Sequence, residues 1–145
     1  MDRTPTHHDA ELVLRLYDLR REATLRENRV RMFREYWPRT ADDVIAVAQP
    51  DHPLNVAYRQ VTTYWEMAYV LCKHGTLHTN LMLESSGEGL VMFARLEPHL
   101  VALRAATNPR TLLATEWIAT QTEIGQKLME IQRARYAKLL AARKE

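Results

Sequence analysis

The chain has 145 residues, of which 46% are hydrophobic and 26% charged, and its formal net charge is +2. This balance indicates a folded globular domain and argues against wholesale disorder, and so small a charge gives no reason to expect a nucleic-acid or membrane ligand. The length favours one domain with a substantial core. Cys72 is the only cysteine, which excludes an internal disulfide.

The first residues lack the apolar core of a signal peptide, and no run approaches the ~18 apolar residues of a membrane span. We therefore expect a cytoplasmic protein without a membrane segment. Residues 1–8, which include His7 and His8, are expected to form a flexible tail. A single helical domain should then cover residues 9–145.

An apolar stripe with steps of three and four residues runs through residues 9–37 and predicts one long amphipathic helix. Arg26 interrupts the stripe, and Pro38 should end the helix. The stripe should lie in the core. Its members are Leu12, Leu16, Leu19, Ala23, Val30, Phe33 and Trp37.

Capping signals divide the middle of the chain into shorter helices. Thr40 and the two acids after Ala41 favour a helix start, and that helix should stop before Pro50. Residues 53–74 form the most apolar segment and should be the central helix, with Gly75 at its end.

The second half of the chain should hold two further short helices and one long one. A helix over residues 76–84 is followed by Ser85-Ser86-Gly87-Glu88, which predicts a capping box at the start of the next helix. Pro98 should kink or break that helix before it resumes over residues 99–105. A final helix over residues 109–143 would be ~50 Å long. Because a globule of this size is only ~40 Å across, part of this helix should project or lie against another subunit.

The predicted fold is all-α, a single-domain bundle of five to seven helices with long first and last helices. Both long helices should pack antiparallel against the helix over residues 53–74. No run alternates with a period of two over a strand length, so we expect no sheet.

Two pairs of residues are candidate ligand groups, and each has a simpler structural interpretation. His74 and His78 have the spacing that could present two imidazoles to one metal, although a histidine near a helix end can instead cap free carbonyls. Trp65 and Glu66 could line a ligand pocket. Alternatively, Trp65 packs in the core and Glu66 faces outward or pairs with an arginine. We expect no firm metal site and no cofactor.

Arginine outnumbers lysine by sixteen to four. The arginines of the first predicted helix are the best argument for an anionic partner: Arg15, Arg20, Arg21, Arg26, Arg29, Arg31 and Arg34. Acids four residues ahead of several of them, as in Glu22–Arg26, indicate that much of this charge is balanced within the helix. The basic end of the last helix has fewer acids, so anion or nucleic-acid binding there is a weaker alternative.

The segment Tyr64-Trp65-Glu66-Met67-Ala68, followed by His74-Gly75 and preceded by Phe33 and Trp37, resembles a family of small all-helical bacterial proteins of unknown function. The resemblance spans about residues 12–104. It implies a helical cytoplasmic protein and brings no activity, cofactor or catalytic residue with it.

The chain has no GxSxG, phosphate-loop or dinucleotide motif, so the sequence does not support an enzymatic activity. The first hypothesis is a non-enzymatic interaction or scaffold protein that forms a homodimer through the outer half of the last helix. The expected interface is Ile131, Arg135, Tyr136 and Leu139. The alternatives are a small-ligand or metal site at Trp65, Glu66, His74 and His78, and anion or nucleic-acid binding at the basic end of the last helix.

Overall fold

Each of the two long helices predicted near the ends of the chain is divided in the structure. The computed structural model describes residues 3–143, and within this range it is all-α and has no strand. It has more helices than the predicted five to seven, because both long segments break. In chain order the helices are α1 His7–Arg20, α2 Ala23–Glu35, α3 Ala41–Val47, α4 Asn55–Lys73, α5 Thr79–Ser85, α6 Glu88–Leu96, a 3-10 turn Glu97–His99, α7 Leu100–Ala106, α8 Leu113–Gln121 and α9 Glu123–Ala142.

Glu22 divides the first segment. Its carboxylate accepts hydrogen bonds from the backbone N–H groups of Thr24 and Leu25, at 2.8 and 3.0 Å, and so caps the start of α2. The predicted single helix over residues 9–37 is therefore wrong. The Glu22–Arg26 ion pair predicted from the sequence does not form either, because the Glu22 carboxylate accepts the backbone N–H groups at the start of α2.

Thr122 divides the last segment. Its backbone is extended, and its hydroxyl oxygen accepts a hydrogen bond from the N–H of Gly125 at 3.0 Å, which starts α9. A Cβ atom at Gly125 would lie 1.8 Å from the carbonyl oxygen of Ile118, so only glycine fits this turn. The segment before α8 also departs from the prediction, because Leu112 has a left-handed φ of 58° and the helix begins only after it.

Because residues 109–143 do not form one helix, the expectation that part of the last helix projects from the domain no longer follows from its length. With 20 residues, α9 is only ~30 Å long. Its far end contacts the connection between α2 and α3, where the Tyr136 hydroxyl donates to the carbonyl of Pro38 at 2.9 Å. Arg39 also donates to the carbonyl of Leu140 at 3.2 Å and to that of Arg143.

α4 is the central helix, as predicted, and Gly75 follows its end with a φ of 76°. It packs between α2 and α8, while α9 packs on α6 and α8. The prediction that the whole last helix lies on the central one is thus wrong for α9. The core is one cluster of apolar side chains, with Trp65 and Tyr69 of α4 and Phe93 of α6 among the largest. No helix among the described residues is long and apolar enough to cross a membrane.

The predicted N-terminal tail is partly structured. α1 begins at His7, and Asp9 in its first turn is 1% exposed. The Asp9 carboxylate accepts two hydrogen bonds of 2.6 Å from Arg3, one of 2.7 Å from the N–H of Thr6 and one of 2.8 Å from the N–H of His78. These contacts join residues 3–9 to the start of α5. Residues 1, 2, 144 and 145, which include the last two charges of the predicted basic end, lie outside the described residues.

The helix start predicted at Thr40 forms, whereas the capping box predicted at residues 85–88 does not. Thr40 caps α3 together with Asp43, which confirms the predicted helix start. At α6 the residue at the cap is Gly87, and the Ser86 hydroxyl accepts the N–H of Glu88 at 3.3 Å. The Glu88 carboxylate does not complete a box, because it binds two side chains from other helices.

Candidate functional site

The outer face of α2 forms one side of an open groove with a cavity volume of about 720 Å³. We call it the arginine–aromatic groove. α6 and the residue after α9 close its other side. The lining residues are Arg26, Arg29, Val30, Phe33, Arg34, Trp37, Glu88 and Arg143.

The floor of the groove is apolar and was predicted to be core. Val30 is 50% exposed, and Phe33 is only partly buried. The inward face of α2 is carried instead by Leu25, Asn28 and Met32. The stripe is buried at Leu16 in α1, but Leu19 is already 47% exposed. After the break at Glu22, α2 restarts with its own rotation, so the stripe does not continue inward in α2.

The rim of the groove is positively charged. Arg29 pairs with Glu88 through two hydrogen bonds, of 2.6 and 2.8 Å, and Glu88 also accepts the indole N–H of Trp65 at 3.0 Å. Glu88 is the one acid in the lining, and this pairing offsets its charge. Arg26 and Arg34 are exposed and make no ion pair among the described residues. The groove therefore presents unpaired guanidinium groups above an apolar floor.

Arg95 lies beneath the groove and holds its aromatic end. This side chain is 5% exposed, and its guanidinium donates to the carbonyls of Met32, Phe33 and Tyr36 at the end of α2. Burial lowers the pKa of Arg95, while the helix C-terminus that it caps favours a cation. The position was visible in the sequence as one charge inside the apolar run of residues 90–96, but it was overlooked.

Trp37 is fixed by contacts on several sides. The guanidinium carbons of Arg95 and Arg143 lie 4.1 and 4.4 Å from its ring centroid, within the range of cation–π attraction. The Tyr136 ring stacks on the Trp37 ring with centroids 6.0 Å apart. The indole N–H of Trp37 donates to the carbonyl of Arg34 at 2.8 Å. The ring is thus held in place before any partner arrives.

Trp65 and Glu66, considered together as candidates for one ligand pocket, contact different parts of the structure. Trp65 is 2% exposed and packs in the core. The Glu66 carboxylate accepts the N–H groups of Ala114 and Thr115 at 2.8 and 2.9 Å and the Thr115 hydroxyl at 2.7 Å. It therefore caps the start of α8 from the neighbouring helix α4, and it contacts backbone donors rather than an open cavity.

His74 and His78 also have structural contacts. His74 is the residue that ends α4. His78 caps α5: its Nδ1 accepts the N–H of Leu81 at 3.1 Å, and its Nε2 lies 2.7 Å from the carbonyl of Arg3 and donates to it. Both ring nitrogens of His78 are therefore engaged. Among the described residues, no group of three or more His, Cys, Asp or Glu side chains could hold a metal ion.

The residues expected to form a dimer interface separate into two faces of α9. Ile131 and Leu139 are 52% and 45% exposed and lie along one line of the helix with Arg135. Tyr136 points to the other side, onto Trp37 and Pro38. Of the four residues, Ile131, Arg135 and Leu139 are exposed, whereas Tyr136 is covered by contacts within the chain.

The fold is a single all-helical domain without a metal cluster in its described part, and its most distinctive surface is the arginine–aromatic groove. Over residues 5–122 the chain matches a family described as a domain of unknown function, DUF4760, and the chain belongs to that family. This confirms the predicted resemblance to a family of unknown function. No curated protein and no solved structure matches the chain. The family region contains α2, Glu88 and Arg95, whereas α9 and Arg143 lie beyond it.

Proposed function

We propose that this chain is a non-enzymatic protein-interaction module, and that the arginine–aromatic groove receives an acidic segment of a partner protein that also carries large apolar side chains. The observation that supports the proposal most is the apolar floor of exposed Val30 and partly buried Phe33 and Trp37 under the unpaired cations of Arg26 and Arg34. We expect the module to act in the cytoplasm of a bacterial cell.

Charge complementarity favours an acidic occupant over a second copy of this chain. Positive charges around the groove would repel the basic end of another α9, which carries Arg135 and Lys138 in addition to Arg133, whose charge Glu97 offsets at 2.8 Å. The apolar floor argues for a peptide over a nucleic acid, because Val30 offers no stacking surface and the aromatic rings of Phe33 and Trp37 are partly covered. A helix or extended segment with two or three apolar anchors would bury this floor.

The proposal is tested by fluorescence anisotropy with a labelled 16-residue amphipathic peptide of glutamate and leucine. We expect a Kd on the order of 10 µM. Arg34→Glu and Val30→Asp should each weaken binding by about tenfold or more. Arg59→Glu, at an exposed position of α4 outside the groove, is the matched control and should have little effect.

Three outcomes would contradict the proposal. They are no saturable binding of the peptide, equal binding of polyglutamate without leucine, and tighter binding of a 20-nucleotide single-stranded DNA at the same salt concentration. The last result would support the nucleic-acid alternative, which also requires an affinity that falls steeply with added salt.

Self-association through α9 is a second candidate function. Ile131, Arg135 and Leu139 continue a line that begins at the partly buried Ile124 and Leu128, so the exposed part extends a seam already packed at one end. A second copy of α9 would cover this seam. Light scattering after size-exclusion chromatography should give a dimer mass for the native chain and a monomer mass for Leu139→Asp. Val101→Asp, at a residue 84% exposed on α7, is the control that should stay dimeric; a Leu139→Asp dimer rules this surface out.

A further inference from the structure

A second large cleft lies away from the arginine–aromatic groove, between the end of α4, the start of α5 and the turn from α8 to α9. Its volume is about 750 Å³, which falls within the range of small-molecule sites. We call it the α4–α9 cleft. None of its lining residues belongs to the groove, and it also contains neither Trp65 nor Glu66.

Part of the cleft wall is apolar, between lining side chains that are mostly polar. Cys72 and Leu77 lie behind this part of the wall and are covered, at 2% and 0% exposed. Trp117 and Ile124 are partly buried against the core and give the cleft part of their surface. An indole and one aliphatic side chain suit a small flat or branched apolar body, whose burial would contribute to the binding energy.

The charge at the mouth of the cleft is positive. Arg3 and Lys127 line it, but Asp9 offsets the first and Glu123 pairs with the second at 3.1 Å. Lys73 also lines the cleft and has no ion-pair partner among the described residues. One unpaired lysine beside an apolar wall favours a monoanion, because a neutral ligand would leave that charge without a counterpart.

The cleft is built for binding rather than for covalent chemistry. The thiol among its lining residues is that of Cys72, and burial raises the pKa of this thiol to about 11. A thiol that stays protonated at neutral pH is a poor nucleophile. His78 at the edge of the cleft has both ring nitrogens bound to backbone groups, so it offers no general base.

We propose that the α4–α9 cleft binds a small organic monoanion with an aromatic or branched apolar body, such as an aryl carboxylate, and that Lys73 is the cation that recognises the carboxylate. This site is independent of the proposed peptide groove, so each can fail without the other.

The test is isothermal titration of the native chain with three probes: benzoate, 2-naphthoate and decanoate. At least one should bind saturably, with a Kd on the order of 0.1 mM. The neutral amide of the best probe should bind about tenfold more weakly. Lys73→Glu should weaken the carboxylate by at least the same factor, whereas Lys138→Glu, on the exposed surface of α9, should not.

A second variant tests the location without changing charge. Gln121→Trp places a large side chain at an exposed lining position and should reduce binding by filling the cleft, and its circular dichroism reports whether it folds. The proposal is overturned if none of the three carboxylates binds below ~5 mM, if the amide binds equally well, or if Lys73→Glu and a folded Gln121→Trp both leave the affinity unchanged.

Discussion

The guanidinium of Arg95 lies 4.1 Å from the centre of the Trp37 ring and at the same time ends helix α2 through three carbonyls. One buried cation thus both terminates the helix and supports the aromatic end of the groove. Lysine could not replace it, because an ammonium is a compact point charge without the planar fork that spans several acceptors.

Replacing Arg95 with methionine should lower the free energy of unfolding by about 3 kcal/mol, because the change leaves buried carbonyl oxygens without donors. Urea unfolding followed by circular dichroism measures the loss. Arg59→Met, at an exposed position of α4, is the matched control and should change stability by less than ~0.5 kcal/mol. Equal effects of the two variants would show that Arg95 has no capping role.

Replacing Glu66 with alanine should cost about 1–2 kcal/mol, since the start of α8 loses a charged cap that accepts two backbone N–H groups. Glu130→Ala, on the exposed side of α9, provides the comparison in the same unfolding experiment. A Glu66→Ala chain as stable as this control would return Glu66 to the list of candidate ligand groups.

The Asp9 carboxylate should make stability depend on acid pH. The Arg3 guanidinium, together with the N–H groups of Thr6 and His78, holds the pKa of Asp9 well below its usual value. The unfolded chain therefore binds the proton first, so the stabilisation is present above pH ~4 and is lost as the pH falls further.

Thermal melts of the native chain and of Asp9→Asn measure this effect. The difference between their melting temperatures should be largest near neutral pH and should shrink between pH ~4 and ~2. Asp51→Asn, at an exposed position, should differ from the native chain by a constant amount. A constant difference for Asp9→Asn as well would contradict the linkage.

Two neighbouring leucines of α1 test which face of the first helix is core. Leu16 is 3% exposed and Leu14 is 64% exposed. Leu16→Ala should therefore cost ~2–5 kcal/mol, whereas Leu14→Ala should cost less than ~0.5 kcal/mol. The comparison keeps the substitution and the helix constant. A Leu16→Ala loss below ~1 kcal/mol would place this side chain outside the core.

Several features could be predicted from the sequence: the all-α fold class, the central position of residues 53–74, and the helix ends near Pro38 and Gly75. Each of them depends on local periodicity or on one residue that restricts the backbone. The breaks at Glu22 and Thr122 could not be predicted in this way. Threonine is a preferred cap but also occurs inside helices, and glutamate is a good helix former that is not among the preferred caps, so neither residue by itself marks a break. Only the packing on either side decides which role they take.

The arginine–aromatic groove could not be predicted from the sequence either, because it depends on contacts between residues that are far apart in the chain. The arginines of residues 9–37 did suggest an anionic partner. Which side of α2 they face, however, depends on the break at Glu22 that precedes this helix. Arg143 reaches Trp37 across more than a hundred residues of chain, and no spacing in the sequence encodes that approach. The serine–glycine pair before Glu88 predicted that its carboxylate caps a helix. In the structure the carboxylate pairs with Arg29 instead.

The two ends of the described chain lie at the two proposed binding sites. Arg3 lines the α4–α9 cleft, and Arg143 lines the arginine–aromatic groove. A purification tag is therefore not neutral here, because a tag at the N-terminus is separated from Arg3 by only two residues of sequence, and a tag at the C-terminus is separated from Arg143 by only two. A histidine-rich or acidic tag could occupy either site, so each titration needs the tag at the opposite end or removed by a protease.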